Sequence, residues 1–501
     1  MFIEKVNIQN LENRLDAGFY EPKYLAIRDK LVALGGRRLR DIVSKIACGP
    51  FGGNAIADDL YQEDGLSFIR PVNISSNIFD SSSLVKVPEK ILIDNGLKIY
   101  DGENLYFGRV GVPCVALITG KTSISPNIII AETKNKAADP YYLYCYISSI
   151  YGLSQLKRQL KEVAQPTTST DAVKDLLVYE PALQVQTYIG NKIGQAELLR
   201  GWAKSLEDKF VDTLKCNFPE AFENRASGKK HSKASPSDIS YTLNPGAFNE
   251  ERLRVQSYLI KNKGVKLSTV ANVLGDTTKN YRPDTSYIGL NSISSNSCQL
   301  SSSTIEKEEV KGTCRLLPEG PVIAKLRPYL NKVSYIPKWL KGSVGSTELM
   351  CVKPKGELSA WYLYGVLKSK TTLKQIMPVA TGATHPRIDK YDLNEVIIPV
   401  VTEHESLGLL LEKSQKAYFE SSALVEAAKL LVESLIEKDI TEDELVAVQQ
   451  ALENDDNTKD KAILSKLTDK GYAVKDAKPL FSGLDALYEL LEEAQQDKDQ
   501  D

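Results

Sequence analysis

The side chains best placed for chemistry in this 501-residue chain are cations set in loops marked by glycine or proline. Arg37, Arg38 and Arg40 follow Gly35-Gly36, Arg70 precedes Pro71, and Arg109 lies inside Gly108-Arg109-Val110-Gly111. Lys325 and Arg327 belong to Lys325-Leu326-Arg327-Pro328-Tyr329, where Tyr329 adds an aromatic face. A guanidinium is a planar fork that matches two phosphate oxygens or the O6 and N7 of guanine. The amides and hydroxyls of Asn73, Asn127, Asn291 and Thr384 have the reach for adenine or for a sugar-phosphate backbone. Taken singly, each of these residues is more often a solvated or structural side chain. Their recurrence in corresponding places of two similar halves is what points to a polyanion.

Residues for catalysis are scarce. The three histidines are His231 in a polar linker, His385 in a Gly/Thr/Pro loop and His404 at a helix start, so a His-rich metal site or a repeated Ser-His pair is not available. No Gly-x-x-x-x-Gly-Lys-Ser/Thr run supports an ATP site. Asp139-Pro140-Tyr141-Tyr142 approaches the Asp-Pro-Pro-Tyr motif of amino-methyltransferases, but it lacks the second proline and a glycine-rich methyl-donor loop upstream. It reads better as a helix cap. The seven cysteines are scattered and odd in number, which argues against a disulfide framework and a zinc site alike. Neither a metal nor a cofactor is therefore expected in this chain. No run approaches 18 apolar residues and Met1-Phe2-Ile3-Glu4-Lys5 does not open a signal peptide, so the expectation is a cytoplasmic protein with no membrane partner.

The elements that must position these cations occur twice. Tyr141-Tyr142-Leu143-Tyr144-Cys145-Tyr146-Ile147 returns as Trp361-Tyr362-Leu363-Tyr364-Gly365-Val366-Leu367, and Asp16-Ala17-Gly18-Phe19-Tyr20 as Asn244-Pro245-Gly246-Ala247-Phe248. Arg70-Pro71-Val72-Asn73-Ile74-Ser75 matches Ile288-Gly289-Leu290-Asn291-Ser292-Ile293-Ser294, and Asp175-Leu176 matches Asp392-Leu393. The offsets stay between 216 and 228 residues, a domain-sized duplication and not a solenoid, whose periods are roughly 20 to 50 residues. Each half reads as short strands bounded by Gly and Pro, among them 66–70, 105–110, 286–288, 322–326 and 332–336, followed by the aromatic helix. Each half then closes on a long amphipathic helix. Ile189, Ile193, Leu199 and Leu206 mark one apolar stripe, and Leu411, Tyr418, Leu424 and Leu431 the other; two such near-heptad seams can bury each other as an antiparallel pair.

The organisation expected is a first α/β domain over 1–180, a helix over 181–216, a polar linker over 217–242, a second α/β domain over 243–400 and a helix over 401–438. A small acidic helical appendage over 439–501 follows, opened by a capping-box pattern at Thr441 and Glu444. The formal net charge of −2 conceals an asymmetry: lysines and arginines outnumber acids 55 to 47 through Ile436, whereas the remainder carries 8 against 18. A mildly basic body can serve a polyanion if its excess gathers on one face.

The order of these parts resembles the DNA-specificity subunit of type I restriction-modification systems. The resemblance is carried by Cys48-Gly49-Pro50-Phe51-Gly52-Gly53, Phe68-Ile69-Arg70-Pro71-Val72-Asn73-Ile74, the Tyr141 helix and the helix opened by Glu180-Pro181. In the second copy it is carried by Ala380-Thr381-Gly382-Ala383-Thr384-His385-Pro386-Arg387-Ile388 before Leu393-Asn394-Glu395-Val396-Ile397-Ile398-Pro399. It covers about residues 1 to 437; Ala164-Gln165-Pro166-Thr167-Thr168-Ser169 departs from the family's glycine-containing form, and the acidic appendage lies outside the pattern. The resemblance implies an α/β (α+β) fold with two duplicated target-recognition domains joined by two long antiparallel coiled-coil-like helices in a pseudo-two-fold arrangement. It also implies double-stranded DNA as ligand, read as a bipartite asymmetric site, with Phe51 and Arg387 joining the loop cations as candidate contacts. Partners would be two methyltransferase subunits docked on the helices and a restriction motor-nuclease subunit, which bring S-adenosylmethionine, ATP and Mg. The chain itself would be no enzyme. A helix of about 30 residues is roughly 45 Å long, comparable with the roughly 34 Å between half-sites one duplex turn apart. The competing expectation is a scaffold that uses the helix pair for assembly without reading bases.

Overall fold

The computed structural model describes residues 11, 16–50, 56, 58–74, 79, 83–133, 138–160, 166–224, 239 and 241–500. The chain divides into two compact units, one of residues 1–197 with 422–489 and one of residues 198–421 with 490–501. Phe51 with residues 52–55, and residues 225–238 and 240 of the expected linker, lie outside the described residues.

In the first unit, four antiparallel strands form a sheet in the order Lys45–Cys48, Ile128–Glu132, Asn104–Gly108, Val115–Ile118. A second sheet pairs Leu66–Ile69 antiparallel with Val85–Val87 and parallel with Thr122–Ile124. β-branched residues dominate the interior: Ile69, Ile74, Ile118, Ile124, Ile128 and Ile130 pack around Tyr106. Asp139 caps the aromatic helix Pro140–Ser148 by accepting the Tyr142 N–H at 2.9 Å, and proline at its first turn needs no donor there. Tyr142 and Tyr146 are fully buried.

The second unit repeats this order. Ala271–Leu274, Leu349–Pro354, Gly320–Ala324 and Val333–Ile336 make the four-stranded antiparallel sheet, and Ser286–Ile288 again has a parallel partner, Val344–Gly345. Here the smaller sheet has five strands, because Cys314–Leu316 and Thr277–Thr278 extend it. Ser359 caps the aromatic helix Ala360–Lys368, which buries Tyr362 and Tyr364.

The duplication extends to single hydrogen bonds. The Gln155 side chain donates to the Leu177 carbonyl and accepts the Leu177 N–H; Gln375 does the same with Ile397. Tyr142 Oη donates to the Tyr179 carbonyl, and Tyr362 Oη to that of Pro399. Each glutamine acts as a short extra strand, pairing with both the N–H and the carbonyl of one residue; the Leu177 carbonyl also accepts from Tyr146 Oη.

The long helices are Leu183–Asn217 and His404–Glu437. Each contributes to both units: residues 183–197 and 422–437 belong to the first, and 198–217 and 404–421 to the second. Gly190 and Gly408 occupy equivalent places: a Cβ on either would run into the cap of its aromatic helix, Asp139 in the first copy and Ser359 in the second. The predicted stripes are consumed by the chain's own interior. Ile189, Ile193, Leu199, Leu206, Leu411, Tyr418, Leu424 and Leu431, the residues that mark the expected partner-binding helices, are all buried, so these side chains themselves are not open to a docked partner. Tyr418 Oη donates to Glu207, whose carboxylate also receives the buried Cys298 N–H.

The segment expected as linker begins helical: the first long helix runs through Asn217 and Pro219–Phe222 adds a further turn with Ala221 buried. The acidic appendage comprises helices Glu442–Leu452, Thr458–Leu464 and Leu484–Gln500, with Thr441 and Glu444 forming a reciprocal capping box. In the first unit it docks on the first long helix. Lys192 and Asp460, both essentially inaccessible to solvent, pair at 2.5 Å, and Tyr188 and Tyr488 donate to the same carboxylate. Glu442 accepts from Tyr179 Oη and the Ala182 N–H, covering the first turn of that helix with negative charge. In the second unit the last helix is held by Lys209 to Asp497 at 2.7 Å and Lys413 to Glu493 at 2.6 Å.

Candidate nucleic-acid interface

In each unit the ends of three strands and one returning loop are stitched together by the same backbone bonds. In the first, Ser125 N donates to Ile69 O and Arg109 N to Asn127 O, while Gly111 N donates to Pro166 O and Thr168 N to Arg109 O. In the second, Ser346 N donates to Ile288 O, Lys325 N to Glu348 O, Arg327 N to Pro386 O and Ile388 N to Lys325 O. Two polar loops far apart in sequence thereby meet at one place: 108–111 with 166–168, and 325–329 with 386–388.

The first cluster carries Arg70, Arg109 and Asn127. Arg70 lies over the Tyr61 ring at 5.3 Å and donates to the Ser83 carbonyl at 2.7 Å, and the Asn127 side chain is exposed. Asn73 is a correction. It is fully buried, its Oδ1 accepting the Arg70 N–H at 2.9 Å and its Nδ2 donating to Ser83, so it holds the turn after the strand and cannot reach a base. Ser292 makes the same cap in the second copy by accepting the Gly289 N–H, which leaves the neighbouring Asn291 exposed. Arg37, Arg38 and Arg40 form their own group on the ladder between Arg37–Arg38 and Leu177–Val178. Arg37 pairs with Glu180, and Arg38 and Arg40 share Asp175.

The second cluster is more heavily charged. Lys325 and Arg327 lie on one loop, with Tyr329 half-exposed at its tip. Arg327 has φ of 49°, a left-handed conformation that a long side chain rarely adopts and that this loop enforces through the bond to Pro386. Thr384 is exposed on the returning loop. Arg387 reaches back to Glu348, Nε at 3.2 Å and Nη2 at 3.0 Å, and the carboxylate holds the guanidinium pKa above its ordinary value.

Sequence reasoning missed Glu348 and Arg315. Arg315 is nearly inaccessible and donates to the carbonyls of Leu349 at 2.8 Å, Thr347 at 3.0 Å and Gly275. Its signal was an arginine between Cys314 and Leu316 in a strand, a position that demands partners when buried. Among the described residues no group of three His, Cys, Asp or Glu could hold a metal ion, and no helix is long and apolar enough to cross a membrane.

No family model and no curated protein matches the chain. Among solved structures it is similar to the type I restriction-modification system S subunit of M. genitalium, at 11% identity and a TM-score of 0.35, covering 82% of this chain and 95% of that one. It is also similar to the HsdS subunit of Thermoanaerobacter tengcongensis, at 12% identity and a TM-score of 0.27, covering 81% and 96%. A third similar chain comes from a study titled for complex assembly and conformational transition of the type I R-M system, at 12% identity and a TM-score of 0.24, covering 82% and 96%.

Proposed function

We propose that this chain is the DNA-specificity subunit of a type I restriction-modification complex, reading a bipartite asymmetric site in double-stranded DNA. The observation that carries the reading is the repeated pairing of loops, 108–111 with 166–168 and 325–329 with 386–388, on matching strand ends but with different exposed side chains. Two readers of one design with different side chains suit a target of two unlike halves. Phosphate contacts would come from Arg70, Arg109, Lys325 and Arg327, and base contacts from Asn127, Thr384, Arg387 and Asn291. The chain would position two methyltransferase subunits and a motor-nuclease subunit, with S-adenosylmethionine, ATP and Mg held by those partners. Because the apolar seams are buried, partners would meet the outer polar faces of the helices.

The test is exchange of residues 20–180 for the equivalent segment of a relative, followed by mapping of methylated sites in a host carrying the complete system. One half of the methylated sequence should change and the other persist; a change in both halves defeats the modular reading. Charge reversal at Arg70, Arg109, Lys325 and Arg327 should weaken DNA binding by the assembled complex. Unaltered binding would favour the scaffold alternative.

A further inference from the structure

We propose that Arg387 reads a guanine in one half of the target and that Glu348 holds it in the reading pose. This rests on the DNA-reading function above and specifies one contact within it.

A guanidinium carries five N–H donors that pair on two edges, Nε with Nη2 and Nη1 with Nη2. The edge made by Nε and Nη2 is spent on Glu348, and Nη1 donates to the His385 carbonyl at 3.3 Å. One hydrogen on Nη1 and one on Nη2 remain, and these are the two atoms of the outward edge. That edge is the pair which spans O6 and N7 of guanine in the major groove. Both partners are half-exposed or less, at 47% for Arg387 and 25% for Glu348, so the pair is open to a ligand while anchored at its base.

The anchor is itself anchored. Arg315 donates to the carbonyls on either side of Glu348, those of Thr347 and Leu349, and the Glu348 carbonyl accepts the Lys325 N–H at 2.8 Å. Arg387 is fixed from its own side by backbone bridges to Leu326 and Thr381. A buried cation thus sets the peptide, the peptide sets the carboxylate, and the carboxylate sets the fork. This is the pre-organisation a directional contact needs. Neutralised by Glu348, the pair attracts phosphate weakly, whereas the neighbouring Lys325 and Arg327 supply that attraction. The chemistry therefore favours a base edge over the backbone. The first copy has Asn127 and Thr167 at the equivalent places, so the guanine requirement belongs to the second half of the target.

The probe is a library of randomised duplex DNA, offered to the full chain purified with its accompanying subunits. The wild type should select a bipartite sequence with a fixed G·C pair in one half. Arg387→Ala should lower preference for that base pair about ten- to hundredfold and leave the other positions intact, with the slope of log affinity against log salt unchanged. Arg387→Lys, which keeps charge and length but not the fork, should lose the same preference. Glu348→Gln should weaken it partially without reducing affinity for unselected DNA. If Arg387→Ala weakens all sequences evenly and lowers the salt slope by about 0.9, the residue grips phosphate and the inference is overturned while DNA reading stands. Unchanged selection by the two Arg387 variants overturns it equally. A wild type that selects no sequence defeats the DNA-reading function itself.

Discussion

The two copies agree in the side chains that pair with the strand-end and helix-entry backbone and differ at the tips of their paired loops. Gln155 and Gln375 make the same two bonds to the same strand, Tyr142 and Tyr362 the same bond to the chain entering a long helix, and the four strand-end backbone bonds recur one for one. At the loops the first copy offers Asn127 and Thr167, and the second Glu348 and Arg387, locked and braced from beneath by Arg315. The helices differ too: Lys192 of the first, paired with Asp460, stands where the second has Leu410. Duplication preserved these backbone pairings, while the loop tips and, at Lys192, one buried helix position diverged.

The largest break in the comparison should come from Asp460→Ala. It strands the Lys192 ammonium in a dry site, at a cost of about 3–5 kcal/mol, to be read as a lowered urea midpoint. The double variant Lys192→Leu/Asp460→Leu should recover part of that loss, since it removes the stranded ammonium but still deprives the Tyr188 and Tyr488 hydroxyls of their acceptor; no recovery would show that the ammonium is not what the single variant loses stability to. Arg315→Met should cost about 2–4 kcal/mol by orphaning carbonyls at Gly275, Thr347 and Leu349. It should also relax selection in the second half-site, and stability and selection are measured separately.

Gln375→Ala should cost about 2 kcal/mol and Gln155→Ala less, since Gln375 is almost fully buried and Gln155 only partly. Denaturation midpoints in reversed order would mean that burial does not set the worth of the two glutamine pairings. The smallest effect concerns Glu420, which stands where the first helix has Trp202. Burial raises its carboxyl pKa to about 7 from an ordinary 4.5. Between those values the folded state binds more protons than the unfolded, so stability falls as pH rises through this window. Glu420→Gln should flatten that slope and stabilise by about 1–2 kcal/mol at pH 8, with little gain at pH 4.5; a pH-independent gain would exclude the titration.

The duplication, the aromatic helices, the long helices and the Thr441–Glu444 box were legible because each depends on periodicity or on neighbours within a few residues. Asn73 misled because a buried capping amide and an exposed base-reading amide look alike in sequence; the Ser83 that occupies it lies ten residues on. The apolar stripes were legible as seams but not as to what fills them. Glu348 and Arg315 went unread because their meaning is relational, depending on Arg387 and on carbonyls 32 to 40 residues away. The docking of the appendage left no local trace at all, for its central pair joins residues 268 apart.

That separation has a temporal side. Translation at about 5–20 residues per second puts roughly 13 to 54 s between the emergence of Lys192 and that of Asp460. Throughout that interval the nascent first unit must keep an ammonium hydrated on a helix face destined to be dry, so its closure awaits a late arrival from the ribosome. The first half is therefore made early and finished late, and a chain interrupted before Asp460 would offer chaperones and proteases an incomplete helix face.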